Sequence, residues 1–189
     1  MSHYTALLDA NVLYPAPMRD VFMQLAVTDI FKAKWSEDIH HEWIDALMRN
    51  EPHRDRGALE RTRDLMNQAT RDCLVTGYYA LIPSLELPDP NDRHVLAAAI
   101  VGRCDVIVTQ NLKDFPENAL EPYGIETLHP DDFLSNHLAL APGLFCSALR
   151  KVRARLKNPQ YSAEDYLAIL TQQGLVATAA ELEQFRDLL

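Results

Sequence analysis

Four acidic residues, far apart in the sequence, occupy positions that a parallel β-sheet would bring together. Asp9 ends the apolar run of residues 5–8, and Asp114 follows a short apolar strand. Asp92 stands at the opening of an apolar helix, and Glu42 lies beside the apolar stripe of another helix. Open α/β folds form their ligand sites at the carboxyl ends of the strands. The four positions therefore predict one acidic pocket.

Such a pocket requires cations. Two carboxylates about 4 Å apart repel each other by roughly 4 kcal/mol at an effective dielectric constant near 20. Oxygen ligands without a nearby cysteine or a histidine pair suit Mg²⁺ or Mn²⁺ better than Zn²⁺. One such ion can activate water, while a second, roughly 3.5 to 4 Å away, stabilises the leaving oxygen of a phosphodiester. The acids therefore predict metal-dependent phosphodiester hydrolysis without a covalent intermediate.

Each acid taken alone also has a structural explanation. Asp9 can stabilise a turn at the end of a strand, and Glu42 can be a solvated helix residue. Asp89 suits the N-cap of the following helix and Asp92 its first turn. Glu37 lies near Glu42, and the sequence leaves open which of the two completes the acidic site.

The order of the predicted elements indicates an α/β fold. Every residue from Val95 to Val101 is apolar, which predicts a helix buried nearly all round. Strands alternating with helices favour a parallel sheet. Predicted strands end at Asp9 and cover residues 78–82, 105–109 and 124–128; predicted helices cover residues 18–27, 36–50, 55–72, 89–101 and 131–140. After Pro142 only helices are predicted, over residues 144–156, from Ser162 to Gly174, and over residues 179–189.

The composition is that of a soluble globular protein. The chain has 189 residues, 48% hydrophobic and 24% charged, with a net charge of −9. No segment approaches the roughly 18 apolar residues of a membrane span, and the amino terminus lacks a signal-peptide layout. We therefore expect a cytoplasmic protein without a membrane segment. The three cysteines, Cys73, Cys104 and Cys146, form no CxxC pair and predict neither disulfides nor a zinc site.

A basic segment follows the acidic part of the chain. Five cations fall within eight positions without an acid among them: Arg150, Lys151, Arg153, Arg155 and Lys157. On a helix Arg150, Arg153 and Lys157 would share one face, which makes them candidates for contact with RNA phosphates. A solvated helix or a surface for a protein partner would explain them equally. A second group of arginines, over residues 49–63, is diluted by acids.

Four motifs in order carry a family resemblance. LLDANVL, the acidic helix with Glu42, DPNDRHVLAAAI and VTQNLKDFP together resemble the PIN-domain ribonucleases, in particular the VapC-type toxins of toxin–antitoxin pairs. The resemblance covers residues 5 to about 135. It implies a PIN-like three-layer α/β/α sandwich with a central parallel sheet of about five strands. We place this nuclease domain at residues 1–140 and a helical extension at residues 141–189.

The resemblance also implies roles for particular residues. Asp9, Glu42, Asp92 and Asp114 would form the catalytic acidic set, with Asp9, Asp92 and Asp114 as metal ligands. Asn11, Thr109 and Asn111 would orient these ligands. His94 is expected to face outward at the helix start or to touch substrate.

The activity implied is Mg²⁺- or Mn²⁺-dependent endoribonuclease cleavage of single-stranded or structured RNA by activated water. A small antitoxin would neutralise the protein, and many proteins of this kind pair as homodimers. One alternative is a catalytically inactive PIN-fold module that binds RNA or protein. Another is a phosphatase of haloacid-dehalogenase type. That enzyme would need a second Asp two places after Asp9, where Asn11 stands.

Overall fold

Four short parallel strands form the centre of the fold. The computed structural model describes residues 4–189, and within them the strand order is β2-β1-β3-β4. The strands are β1 (Thr5–Leu8), β2 (Lys32–Lys34), β3 (Val106–Val108) and β4 (Glu126–Leu128). A one-residue parallel bridge joins Trp35, just after β2, to Leu74. The predicted sheet of about five strands is thus present as four strands and one bridging segment.

The central strands are covered on both faces. Ala6, Leu7 and Leu8 of β1 and every residue of β3 are fully buried, as expected for a parallel sheet with helices on both sides. The register pairs Leu8 with Val108. The residues that follow these two strands therefore emerge side by side at the carboxyl edge of the sheet.

Helices form the two outer layers. In chain order they are α1 (Ala10–Leu13), α2 (Ala16–Val27), α3 (Glu37–Asn50), α4 (Arg56–Ala69), α5 (Arg93–Val101), α6 (Glu117–Leu120), α7 (Pro130–Leu140), α8 (Pro142–Arg155), α9 (Ala163–Gln172) and α10 (Val176–Leu182). Helix α5 packs on β1 and β3, whereas α2 packs on β2 and contacts α8 and α9. The predicted three-layer α/β/α sandwich with additional carboxyl-terminal helices is confirmed.

Local capping residues determine where several helices begin. The hydroxyl of Ser36 accepts a hydrogen bond from the backbone N–H of Ile39, and Ser162 forms a capping box with Asp165. Asp89 accepts from the N–H of Asn91 and starts a 3₁₀ turn that leads into α5. These predicted starts are confirmed. They could be predicted from sequence because a cap acts within one turn of the helix.

Some sequence-based predictions were wrong. The segment at 78–82 is not a strand, because Tyr79–Ser84 forms a 3₁₀ helix. The hydroxyl of Tyr78, which is buried, donates to Asp38 at 2.8 Å, and Pro83 has no N–H to offer a sheet. Helix α5 is fully buried only over its middle, since Val101 is 41% exposed.

A buried acid joins α7 to the last helices. The carboxylate of Asp131 accepts hydrogen bonds from the N–H groups of Ala177 and Thr178, both at 2.8 Å, and from the Thr178 hydroxyl at 2.7 Å. Helix α10 begins after Leu175, which supplies no side-chain cap, so Asp131 caps it from another element. The division of the chain at residue 140 stays a prediction. No helix within residues 4–189 is long and apolar enough to cross a bilayer.

Candidate active site

The sheet reverses its strand order between β1 and β3. The chain leaves β1 to form β2 on one side and returns to form β3 on the other side. In open α/β sheets the crevice at such a switch point holds the ligand. Asp9 follows β1 directly and Thr109 follows β3 directly, so both lie at this crevice.

Asp9 is a buried carboxylate held by three hydrogen bonds. Its Oδ2 accepts from Asn11 Nδ2 at 2.6 Å and from the Thr109 hydroxyl at 2.7 Å, and its Oδ1 accepts from the N–H of Ala10 at 2.7 Å. Burial raises the pKa of Asp9, against the hydrogen bonds from Thr109 and Ala10, which lower it. Oδ1 can accept once more, because a carboxylate oxygen carries two lone pairs and Oδ1 uses one, whereas Oδ2 already accepts two hydrogen bonds.

The loop after β3 is fastened to the turn after β1. Asn11 Nδ2 also donates to the Thr109 hydroxyl at 2.9 Å, and that hydroxyl accepts from the N–H of Asn111 at 3.1 Å. The backbone N–H and the side-chain amide of Gln110 donate to Asn11 Oδ1 and to the Asn11 carbonyl at 3.0 and 2.9 Å. Sequence reasoning missed Gln110, although its place between Thr109 and Asn111 was a usable signal.

Asp114 and Asp92 complete the acidic cluster. A hydrogen bond from the Asn111 side-chain amide holds Asp114 Oδ2. The pKa of Asp92 is raised to about 6 by burial and then by the negative charges of Asp9, Asp89, Asp114 and Glu42, in that order. The structure therefore brings the four predicted acids into one electrostatic neighbourhood. Their catalytic roles stay predictions.

Glu42 faces this neighbourhood. Its Oε1 lies 2.9 Å from Nε2 of His94 on α5, and its charge raises the pKa of both Asp9 and Asp92. The His94 side chain is only 11% exposed, so the expectation that it faces outward was wrong. The hydrogen bond and charge of Glu42 raise the pKa of His94 in spite of burial, which opposes the imidazolium.

Comparison with protein families identifies the fold. A model described as a PIN domain matches residues 5–113, which is more than half of the chain. The chain belongs to the PIN-domain family. A second model, described as the VapC50 C-terminal domain, matches residues 130–184. The resemblance to VapC-type PIN domains is therefore confirmed.

One curated relative is similar over part of this PIN-domain chain. It is named "Putative ribonuclease VapC50", from Mycobacterium tuberculosis (strain ATCC 25618 / H37Rv), and is 56% identical over 64 residues. The match spans 34% of this chain and 37% of the relative. No solved structure gives a significant match.

The donor atoms of the PIN site suit a hard divalent cation. Within residues 4–189 no three His, Cys, Asp or Glu side chains converge closely enough to hold an ion by themselves. Mg²⁺, however, usually keeps several waters and takes only one or two carboxylates from the protein. The charges that raise the pKa of Asp92 are all carboxylates, so a cation there would relieve their repulsion. The residues present therefore fit Mg²⁺ or Mn²⁺.

An open groove adjoins the acidic cluster of the PIN domain. Its volume is about 880 Å³, and it contains Asn11, Glu42, His94 and Gln110. The rest of the groove is lined by one side of α3, with Asp38, His41, Trp43, Asp45, Ala46 and Arg49, and by Ala10, Tyr14 and Pro15 in and after α1. The groove is therefore bordered by Asn11, which holds Asp9, and by His94, which holds Glu42.

The predicted RNA-contact residues lie in a different cleft. Arg150, Arg153 and Lys157 line a space of about 490 Å³, which shares no lining residue with the acidic groove. Lys157 is not on the helix as predicted, because α8 ends at Arg155. The guanidinium of Arg153 donates to the carbonyls of Tyr161 at 2.7 Å and Leu189 at 3.0 Å, so it serves the fold.

Proposed function

We propose that this PIN-domain chain is an endoribonuclease that hydrolyses RNA phosphodiester bonds with water and a bound Mg²⁺ or Mn²⁺ ion. The observation that carries the proposal is the buried Asp9 carboxylate at the switch point, coupled electrostatically to Glu42 and Asp92, with Asp114 acting on Asp92. Asp9, Asp92 and Asp114 would hold the metal, in part through its bound waters, and Glu42 would complete the acidic site. The similarity to a protein named as a ribonuclease supports this assignment.

The residues around the acids position them for this chemistry. Asn11 and Thr109 hold Asp9 Oδ2 through neutral donors, so the carboxylate keeps its orientation, and the Thr109 hydrogen bond opposes the rise in pKa that burial causes. Asn111 does the same for Asp114, and His94 holds Glu42. A divalent ion bound there would polarise the phosphate and lower the pKa of an attacking water.

We also propose that the protein is the toxin of a toxin–antitoxin pair and acts in the cytoplasm. The match to the VapC50 C-terminal domain supports this proposal. A small antitoxin would then be its natural inhibitor, and the homodimer remains a prediction. Co-expression with the neighbouring small reading frame tests the proposal, since rescue of growth by that protein alone is the expected result.

The activity is tested with purified full-length protein and end-labelled single-stranded RNA. We expect cleavage with Mg²⁺ or Mn²⁺, none in EDTA, and a loss of at least about 100-fold in Asp9→Asn, which cannot supply a charged ligand at a central position. Equal cleavage by the variant would refute the role of Asp9. RNA binding without cleavage under every metal condition would favour the inactive binding module. The phosphatase alternative loses its basis, because the chain is a PIN domain.

A further inference from the structure

We propose that the cleft at the end of α8 binds the RNA strand outside the acidic groove, with Arg150 and Lys157 each on a backbone phosphate and Tyr161 against a base. These three side chains and Gln160 line the cleft. The choice of RNA as the ligand rests on the proposed function. The arrangement of charged and aromatic side chains in the cleft does not depend on that function.

The cations of the cleft are not neutralised by the protein. Arg150 and Lys157 are exposed, and neither forms an ion pair with a carboxylate of residues 4–189. The other arginine group differs, since four of its five members are paired with acids: Arg54 with Glu51, Arg56 with Asp45 and Glu60, Arg61 with Asp55, and Arg63 with Asp64. The cleft therefore offers a polyanion two neighbouring cations that no carboxylate of residues 4–189 neutralises.

The cleft is held in shape by the fold. Arg153 ties the carbonyls of Tyr161 and Leu189 to α8, and the backbone of Lys157 pairs with that of Gln160. Tyr161 is partly buried against the core, so its ring has a fixed place on the cleft wall. An aromatic wall beside unpaired cations is the arrangement that single-stranded nucleic acid binds by stacking and phosphate contact.

The end of α8 lies at the same edge of the sheet as Asp9. Helix α7 starts after β4 and runs to the opposite edge, where the rings of His137 and Tyr4 are 6.2 Å apart. Helix α8 then returns alongside α2. The last residue of α8, Arg155, acts on Asp20 near the start of α2: burial raises the pKa of Asp20, and the charges of Arg19 and Arg155 oppose this rise. An RNA strand that leaves the acidic groove and passes α2 would therefore reach the cleft.

The test measures RNA binding without metal, so that no cleavage occurs. A labelled single-stranded RNA is titrated with the full chain in EDTA at several KCl concentrations, and anisotropy gives the affinity. Arg150→Gln/Lys157→Gln is compared with the matched control Arg56→Gln/Arg61→Gln, which removes the same charge from paired arginines. We expect the slope of log affinity against log salt to become shallower by about 1.4 in the cleft variant, at roughly 0.7 per phosphate. The control should keep the wild-type slope.

A second variant tests the stacking. Tyr161→Leu should weaken binding by about 5- to 100-fold and leave the salt slope unchanged, because stacking releases no counterions. Circular dichroism at the assay temperature must show wild-type helix content in all variants. Equal slopes in the cleft and control variants, or no RNA binding by the wild type, would overturn the proposal.

The two proposals fail separately. A wild-type chain that binds RNA with the expected slope but never cleaves with Mg²⁺ would reject the nuclease and retain the cleft. If the wild type cleaves RNA but replacing Arg150 and Lys157 leaves the salt slope unchanged, the cleft proposal alone is rejected.

Discussion

At the scale of residues, neutral side chains hold two of the acids of the site, Asp9 and Asp114, in place. Asp9 and Asp114 were identifiable from sequence because each directly follows an apolar strand or its loop, and Asn11 and Thr109 stand in the same motifs. His94 was misjudged because its partner Glu42 is 52 positions away. Local sequence does not encode such a contact, so only the packing of α3 against the start of α5 reveals it.

Thr109→Val should reduce RNA cleavage by about 10- to 100-fold at saturating Mg²⁺. The substitution removes a donor to Asp9 Oδ2 and an acceptor for Asn11 and Asn111, with little change in volume. Initial rates on labelled RNA measure the effect. Thr127→Val is the control, since that hydroxyl bonds only to the Phe115 carbonyl. Equal losses in the two variants would contradict a positioning role for Thr109.

His94→Leu should lower the cleavage rate by about 10-fold or more, because Glu42 loses the donor that holds it. His94→Gln keeps an N–H donor and should recover part of this loss. The comparison uses kcat under saturating RNA, so that weaker binding does not enter. A Gln variant as slow as the Leu variant would show that the hydrogen bond is not what matters.

At the scale of elements, one buried polar chain docks α4 onto α3 and the segment after β2. Trp43 Nε1 donates to His40 Nδ1 at 3.0 Å, which leaves the proton of the neutral ring on Nε2, 3.1 Å from Asn67 Oδ1. Trp35 Nε1 donates to the same oxygen at 2.7 Å. A charged His40 could not accept from Trp43, so the docking depends on a neutral ring.

Protein stability should therefore fall as the pH falls from about 6.5 to about 4. Burial lowers the pKa of His40 from 6.5 to about 4, although the Asn67 hydrogen bond opposes this. Between these pH values the unfolded chain binds a proton at His40 and the folded chain does not. The free energy of unfolding therefore falls, and the total loss approaches about 3 kcal/mol. Urea unfolding at successive pH values measures it. His40→Gln lacks this titration, so its stability should fall less steeply, and parallel curves would contradict the assignment.

Asp131→Ala should lower the free energy of unfolding by about 2 kcal/mol or more. The change removes the cap of α10 and leaves the N–H groups of Ala177 and Thr178 without their acceptor. Urea unfolding followed by circular dichroism measures the loss. The exposed neighbour Asp132→Ala is the control and should remain within about 0.5 kcal/mol of the wild type. Similar losses in both would indicate a general effect of charge on α7.

The elements differ in how well sequence predicted them. Helix starts at Ser36, Asp89 and Ser162 were predictable because caps are local. The segment at 78–82 was not, since an aromatic and aliphatic run suits a strand equally well. The contact of Tyr78 with Asp38, 40 positions away, decides its geometry. Short α1 was also missed, because Asp9 caps it while serving the site.

At the scale of the whole molecule, the strand order could be inferred only through family resemblance. Nothing within β1 or β3 states that they pair, yet Leu8 opposite Val108 places Asp9 beside Thr109. The basic segment was found from composition, but the ion pairs that form in the folded chain decide which of the cations are available to a ligand. The structure pairs Arg54, Arg56, Arg61 and Arg63 with acids, whereas Arg150 and Lys157 of the α8 cleft form no ion pair with a carboxylate of residues 4–189.

The position of α7 has a consequence for deletion studies. Phe133 on this helix packs against Phe22 of α2 and Phe31 just before β2, with ring centroids 5.7 and 5.0 Å apart, while Asp131 on the same helix holds α10. Cutting the gene before Pro130 would remove the aromatic cover from the amino-terminal part of the chain, and cutting after Leu140 would remove α8 and α10, which pack on α2 and α7. Shortened versions made to assign activity to one part would therefore report misfolding, and single substitutions in the intact polypeptide are the informative route.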